Sequence, residues 1–219
     1  MATGWTRQAV VWTAALAAGS AALAGCSSSV PAVPDAPASN MASPPVTGAA
    51  PSPTPTEEAG PANDPSDADS WVVTTAKVGP IEVGGSFADT LEEIRQTGIG
   101  TLNDCDGVAY GYAADNAYDV LIVAGTTDEV VEVSIGWNGD TMGVGPRTEE
   151  GLGLGSTKAE VLGTYEDAAE AQATVGDTEL VEVDGGETDL VFSFVSGYDG
   201  AVGLSVVTAG REPAYEPCA

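Results

Sequence analysis

The sequence predicts an α+β fold class: two tandem helix-plus-antiparallel-meander repeats that share a sheet, preceded by a signal peptide and a disordered tether. Three observations predict it. First, an apolar N-terminal segment leads into a proline-rich stretch. Second, the remaining chain aligns with itself at an offset of 71 positions, which matches Gly84 with Gly155. Third, apolar residues alternate with polar or small residues in the later part of each half. The expected divisions are residues 1–25, 26–70, 71–141 and 142–219.

The first segment, residues 1–25, is typical of a secretory signal. One charge, Arg7, precedes an apolar run from Ala9 to Ala24, which is too short and alanine-rich for a membrane span. The run ends in Leu23-Ala24-Gly25-Cys26, which resembles the lipobox of bacterial lipoproteins. The resemblance implies a mature chain that begins at a diacylglyceryl, palmitate-bearing Cys26 and is anchored to the extracytoplasmic face of the cell membrane. An ordinary signal peptide with a chance cysteine is the alternative.

The tether, residues 26–70, has the composition of a disordered spacer. Residues 27–70 contain ten of the fourteen prolines and no aromatic, lysine or arginine side chain. Too few large apolar groups remain to offset the entropy lost on ordering. Asp64, Asp67 and Asp69 lack the glycine and closing glutamate of a calcium-binding EF-hand loop, so we interpret them as a solvated acidic stretch.

Each half then predicts a short strand followed by a helix. In the first half Ile81–Gly84 reads as the strand, and Ser86 with Asp89 has the spacing of a helix N-terminal cap. Thr157 and Glu160 have the same spacing in the second half. The apolar stripes are Phe87, Leu91 and Ile94 in the first helix, and Val161, Leu162, Tyr165 and Ala169 in the second. We expect Leu91 and Leu162 to be buried.

Three strands are predicted after each helix. Alternation of apolar and polar residues, with glycine-containing turns between the runs, indicates a sheet with one covered face. The runs are Val108–Tyr112, Tyr118–Val123 and Val130–Trp137 in the first half, and Glu179–Val183, Leu190–Val195 and Val202–Thr208 in the second.

Two cysteines remain if Cys26 carries lipid. Cys105 and Cys218 would then lie on the oxidising side of the membrane, where thiols pair readily. We expect a disulfide between them that fastens the C-terminal tail to the first half, a pair of free thiols being the alternative.

The strand-to-helix turn carries a second resemblance. The segment Leu152–Val161 is similar to the Gly-x-Thr helix start in each half of the β-lactamase inhibitory proteins of actinobacteria, while in the first half Gly85-Ser86 stands in for the usual Met-Thr. That family's aromatic-rich concave sheet face implies a possible partner-binding face here at Tyr110, Tyr112 and Trp137. Residues 71–218 also look like the uncharacterised surface lipoproteins of high-GC Gram-positive bacteria.

Composition excludes several chemistries. With 33 acidic and 6 basic residues the net charge is −27, which disfavours any nucleic-acid partner. The chain has no histidine, so the usual triads and most catalytic zinc sites are excluded. The glycine run Gly151–Gly155 is followed by Ser156-Thr157-Lys158, the reverse of the order a phosphate-binding Walker loop needs. We expect no cofactor, no metal site and no enzymatic activity.

The expected function is therefore a membrane-anchored extracytoplasmic lipoprotein that presents a non-enzymatic α+β binding or structural module to a protein or envelope partner. One alternative is an inhibitor of an envelope or secreted enzyme of the β-lactamase or penicillin-binding type. A further alternative is a carboxylate-dependent hydrolase, which would need two carboxylates that converge on one pocket.

Overall fold

The structure, a computed structural model, describes residues 62–139, 142–215, 217 and 218; the lipobox residue Cys26 lies outside these ranges. Within them the chain forms twelve strands and two α-helices. In chain order these are β1 (Val72–Val73), β2 (Lys77–Val78), β3 (Ile81–Glu82), α1 (Phe87–Glu93), β4 (Gly100–Leu102), β5 (Cys105–Ala113), β6 (Tyr118–Ala124), β7 (Val130–Trp137), β8 (Arg147–Thr148), α2 (Lys158–Thr164), β9 (Ala169–Gln172), β10 (Thr178–Asp184), β11 (Thr188–Val195) and β12 (Gly203–Thr208).

The strands form two sheets. The large sheet has eight antiparallel strands in the order β4-β5-β6-β7-β12-β11-β10-β9. The small sheet has four strands in the order β3-β2-β1-β8, with β1 and β8 parallel. The central pair of the large sheet, β7 and β12, joins strands that are far apart in the sequence.

The predicted fold class is wrong. The described chain is mostly β, its two helices have seven residues each, and it contains a second sheet rather than repeated helix-plus-meander units on one sheet. The helix ends at Glu93 in the first half and at Thr164 in the second, and Ala169, expected on the second helix, starts β9. Strands of two residues are too short to show an alternating pattern, so the small sheet left little signal in the sequence.

Both predicted helix starts are confirmed. The Ser86 hydroxyl accepts a hydrogen bond from the Asp89 amide, and Thr157 and Glu160 form a complete capping box. The expected burial is only partly correct, because Leu91 and Leu162 are half-buried whereas Ile94 and Val161 are completely buried. No helix in the described ranges is long and apolar enough to cross a membrane.

All six predicted strand runs are confirmed to within three residues at either end. Short strands β4 and β9, at the two edges of the large sheet, were not predicted. Their residues, Gly100–Leu102 and Ala169–Gln172, are mostly exposed, so neither segment has the buried positions that give a strand its periodic signature.

The main core lies against one face of the large sheet. The inward side chains of its central strands, such as Ile135 and Leu204, pack with Ile81 from the small sheet and with Ile94 and Val161 from the helical segments. The opposite face carries a smaller apolar cluster of Ala173, Leu180, Val191 and Val207. This opposite face holds the candidate site.

The folded module begins earlier than the predicted boundary at residue 71. Ala68 is buried, and the indole Nε1 of Trp71 donates to the carbonyl of Asp64 at 2.8 Å. The buried Tyr118 donates its hydroxyl to Asp69 at 2.6 Å. Residues 62–70, assigned by composition to the tether, therefore pack on the folded module through the buried Ala68 and the hydrogen bonds of Asp64 and Asp69.

Candidate functional site

The register of the large sheet places two rows of side chains on the face opposite the main core. One row contains Tyr110, Leu121, Ser134, Ser205 and Val191 across strands β5, β6, β7, β12 and β11. The parallel row contains Tyr112, Asp119, Gly136, Gly203 and Ser193. Serines and glycines occupy the middle of both rows and larger side chains stand on either side. A depression results because small side chains leave the sheet backbone uncovered.

The C-terminal strap, comprising residues 211–215, 217 and 218, passes over this depression. The Ala214 amide donates to both carboxylate oxygens of Glu132 at 2.9 and 3.0 Å, and Glu212 accepts hydrogen bonds from Thr174. At the other end the sulfur atoms of Cys105 and Cys218 are 2.10 Å apart and their Cα atoms 5.4 Å apart, the geometry of a disulfide. This agrees with the predicted pairing.

The sheet and the C-terminal strap line a partly open cavity of about 460 Å³, which we call the sheet cavity. Its floor comes from the strands and its roof from the strap. The floor and walls are Leu102, Tyr110, Asp119, Leu121, Ser134, Ile135, Gly136, Thr178, Ser193, Val195, Val202, Gly203 and Ser205; the roof is Pro213, Ala214, Tyr215, Pro217 and Cys218. Apolar surface with a few hydroxyls and one carboxylate is typical of a small-molecule pocket.

Asp119 is the one carboxylate among the described residues that line the cavity. The Tyr110 hydroxyl donates to its Oδ2 at 3.0 Å. Residue 136 has to be glycine for the carboxylate to lie here, because a Cβ at that position would be 2.5 Å from Asp119 Oδ1. Burial raises the pKa of Asp119, while the Tyr110 hydroxyl and the Gly136 amide lower it. Burial and the neighbouring carboxylate raise the pKa of Tyr110, so its phenol keeps its proton.

A second polar group lies at the centre of the floor. Ser134 Oγ is 2.8 Å from Glu132 Oε1 and 2.7 Å from Ser205 Oγ. Glu132 is completely buried beneath the strap, and burial raises its pKa against the lowering effect of Ser134, Ala214 and Arg211. Each hydroxyl has one proton, so when Glu132 is ionised Ser134 donates to the carboxylate and accepts the proton of Ser205.

The structure does not bring the three predicted face residues together. Tyr110 lines the sheet cavity, and Tyr112 packs edge-on against it with ring centroids 5.2 Å apart but is half exposed outside the cavity. Trp137 lies on the opposite face, because it has the strand parity of Ile135 and packs against the main core beside Tyr198. The three aromatic side chains cannot serve one binding face.

Sequence reasoning missed the residues that shape the site. Asp119 and Glu132 stand at positions of their strands that the alternation pattern assigns to solvent, and a solvated carboxylate has the same one-letter pattern as a buried one. The strap has no periodicity at all. Its one usable signal was Cys218, whose pairing with Cys105 implies that the tail returns to the sheet.

The two-carboxylate hypothesis gains no support from these residues. In the described ranges no three acidic or cysteine side chains are grouped so that they could hold a metal ion. Glu132, the carboxylate next to the cavity, is covered by the strap and already accepts hydrogen bonds from Ser134 and Ala214.

No protein-family model and no curated protein matches the chain. Among solved structures, it is similar to a DUF4309 family protein from Bacillus subtilis at 12% identity, over 67% of this chain and 91% of that one, with a TM-score of 0.45. It is also similar to an extracellular SCP-domain protein from Bacillus anthracis at 13% identity, over 58% of this chain and 44% of that one, with a TM-score of 0.37. At this distance neither likeness assigns a site or an activity to the chain.

Proposed function

We propose that the chain is a lipid-anchored extracytoplasmic protein whose module binds a small ligand in the sheet cavity without transforming it. The sheet cavity itself carries this proposal. Its volume of about 460 Å³ is within the range of small-molecule sites, and it is built by a row of small floor residues and a fastened roof rather than left by loose packing.

The residues that line the cavity favour ligand binding over catalysis. Among its described residues one carboxylate, Asp119, is present, and Glu132, the carboxylate that Ser134 contacts, is completely buried and does not line the cavity. A two-carboxylate hydrolase needs a second acid that reaches the same ligand. An inhibitor would need this sheet face open to a protein, and the strap covers its centre.

The lipobox supports the membrane anchor. Leu23-Ala24-Gly25-Cys26 supplies a site for acylation after secretion, and the residues that follow it are rich in proline. In a detergent partition experiment the full chain should enter the detergent phase and Cys26→Ser should remain in the aqueous phase. Identical partition of the two proteins would exclude lipid at Cys26.

Ligand binding is tested by saturation-transfer NMR with a library of compounds of fewer than about twenty heavy atoms, using the full chain. Hits should compete with one another for one site. Leu121→Trp, which puts an indole into the cavity, should abolish their binding, whereas Val175→Trp, an exposed position outside the lining, should not. Hits that survive Leu121→Trp, or a library with no hits, would contradict the proposal.

A further inference from the structure

Three polar groups of the sheet cavity, those of Tyr110, Asp119 and Ser205, face a ligand as hydrogen-bond acceptors, whereas the hydroxyls of Thr178, Ser193 and Tyr215 can either donate or accept. The Tyr110 proton is committed to Asp119 at 3.0 Å, which leaves the phenol oxygen as an acceptor. The Ser205 proton is committed to Ser134, and the Ser134 proton to Glu132. The Asp119 carboxylate has no proton to give when ionised. A ligand that satisfies these atoms has to bring N–H or O–H donors.

The charged side chain among the described lining residues is also negative. Asp119 lines the cavity, and no lysine or arginine is among its described lining residues. Arg211, the first residue of the strap, faces Glu132, with its Nε 3.6 Å from the carboxylate. The whole chain carries a net charge of −27, which attracts cations and repels anions at long range. These charges favour a cationic ligand.

The remaining lining suits the apolar body of such a ligand. Leu121 and Val195 supply aliphatic surface from the floor, and the rings of Tyr110 and Tyr215 stand at the wall and the roof. Aromatic rings also attract ammonium groups through their negative faces. An apolar body with one charged end would therefore contact both kinds of lining.

We infer that the ligand of the sheet cavity is a small organic ammonium ion, with its N–H groups on Asp119 and the Tyr110 oxygen and its apolar body against Leu121 and Val195. This inference rests on the proposed binding function and specifies its ligand class. It also accounts for a carboxylate that is half-buried without a basic partner among the described residues, since a bound ammonium offsets the burial that raises the pKa of Asp119.

The test compares three compounds with one apolar body: phenethylamine, 2-phenylethanol and 3-phenylpropionate. Their affinities for the full chain are measured by calorimetry and ligand-detected NMR at low ionic strength. We expect the amine to bind about tenfold or more tightly than the alcohol, because a hydrogen bond to a charged group is stronger than a neutral one. The carboxylate should bind more weakly than either.

The matched variants are Asp119→Asn and Asp115→Asn, which remove one negative charge inside and outside the cavity. Asp119→Asn should remove the preference for the amine and leave the affinity for the alcohol within about twofold. Asp115, in an exposed turn, should be replaceable without effect on either compound.

The outcomes separate this inference from the proposed function. A cavity that binds the alcohol or other neutral compounds as tightly as the amine, or whose amine affinity survives Asp119→Asn, overturns the ligand class and leaves the binding function standing. A cavity that binds neither these compounds nor any member of the wider library overturns both.

Discussion

Glu132 is a completely buried carboxylate that connects three parts of the chain. Its oxygens accept hydrogen bonds from Ser134 on the same strand and from the Ala214 amide on the strap, and Arg211 lies 3.6 Å away. Arg211 is 42% exposed, so solvent weakens its attraction. The carboxylate therefore holds the strap mainly by accepting the Ala214 amide, a task that does not require a charge.

Replacement of Glu132 separates these two contributions. Glu132→Gln keeps an acceptor for Ala214 and removes the buried charge, so it should be as stable as the wild type or more stable at pH 7. Glu132→Ala leaves the Ala214 amide and the Ser134 hydroxyl without this acceptor and should lower the free energy of unfolding by about 1–3 kcal/mol per unsatisfied group. Both are measured by urea unfolding, with the exposed Glu187→Gln as control.

The pH dependence has a defined sign. The folded-state pKa of Glu132 is raised above its ordinary value of 4.5, so between these two values the folded protein binds more protons than the unfolded chain. The stability of the wild type relative to Glu132→Gln should therefore fall as pH rises above about 4.5. A difference that stays constant with pH would show that the carboxylate titrates normally.

Gly79 is a position where the backbone and a neighbour both require glycine. Its φ is +58°, and a Cβ would lie 2.3 Å from Cγ of the buried Trp71. Gly84 also has a positive φ, +91°, but a Cβ there meets nothing within 4 Å. A comparison of substitutions at Gly79 and Gly84 therefore separates the cost of a left-handed backbone from the cost of a steric clash with Trp71.

We expect Gly84→Ala to cost about 1–2 kcal/mol of unfolding free energy, the backbone penalty of a left-handed residue. Gly79→Ala should cost about 1–3 kcal/mol more because Trp71 has to move. A shift of the tryptophan emission maximum in Gly79→Ala, but not in Gly84→Ala, would report the movement of Trp71. Equal costs for the two variants would contradict the contact with Trp71.

At the scale of elements, the C-terminal strap has no regular structure of its own and is held in place at two points. The Ala214 amide donates to Glu132 on β7 and Cys218 is bonded to Cys105 on β5, so the strap is attached to the large sheet at these two points. The strap thereby roofs the sheet cavity and buries Glu132. An element of this kind is held by contacts distant in sequence, and it should loosen when one of them is removed.

The cysteine bridge closes a sequence separation of 113 residues. On the chain-entropy account this corresponds to roughly 4–5 kcal/mol of stability. Reductant should therefore lower the urea midpoint of the wild type and have no effect on a Cys105→Ala/Cys218→Ala variant. Intact-mass analysis after alkylation gives a direct check, since two thiols that react in the unreduced secreted protein would exclude the bridge.

At the scale of the whole molecule, one core spans both halves of the described chain. Buried residues from the small sheet, both helical segments and the central strands belong to one contiguous cluster that extends from Ala68 to Val206. The junction of β7 and β12 is a ladder of five residue pairs, from Gly203–Gly136 to Val207–Glu132. Neither half can expose its share of the core without uncovering the other.

We therefore expect a single cooperative unfolding transition. In the chain without its first 25 residues the two tryptophans, Trp71 and Trp137, both lie in the first half, so their fluorescence reports that half alone. Circular dichroism of the sheet reports both halves. The two midpoints in urea should coincide. A fluorescence transition clearly separated from the dichroism transition would show that the halves unfold independently.

The local features of the chain could be predicted from its sequence. The caps at Ser86 and Thr157 and the alternation in β5, β6, β7, β10, β11 and β12 predicted where the helices begin and the strands lie, because each depends on residues a few positions apart. The pairing of Cys105 with Cys218 could be predicted because these are the two cysteines that remain when Cys26 is lipidated and because an oxidising compartment favours disulfides. The length of the second helix was not predictable, since the predicted stripe continued to Ala169 although the chain leaves the helix at Tyr165.

The fold class, the side of the sheet on which each side chain lies and the candidate site depend on contacts between distant parts of the chain. Whether Trp137 or Tyr110 points into the cavity depends on which side of the sheet the main core covers. The alternation of apolar and polar residues is compatible with either side for both residues. The cavity exists because β7 pairs with β12, which brings Ser134 and Gly136 beside Ser205 and Gly203 to make a floor of small side chains. A pairing between strands separated by about half of the module leaves no trace in the neighbourhood of either one, so the sequence pattern could not reveal it.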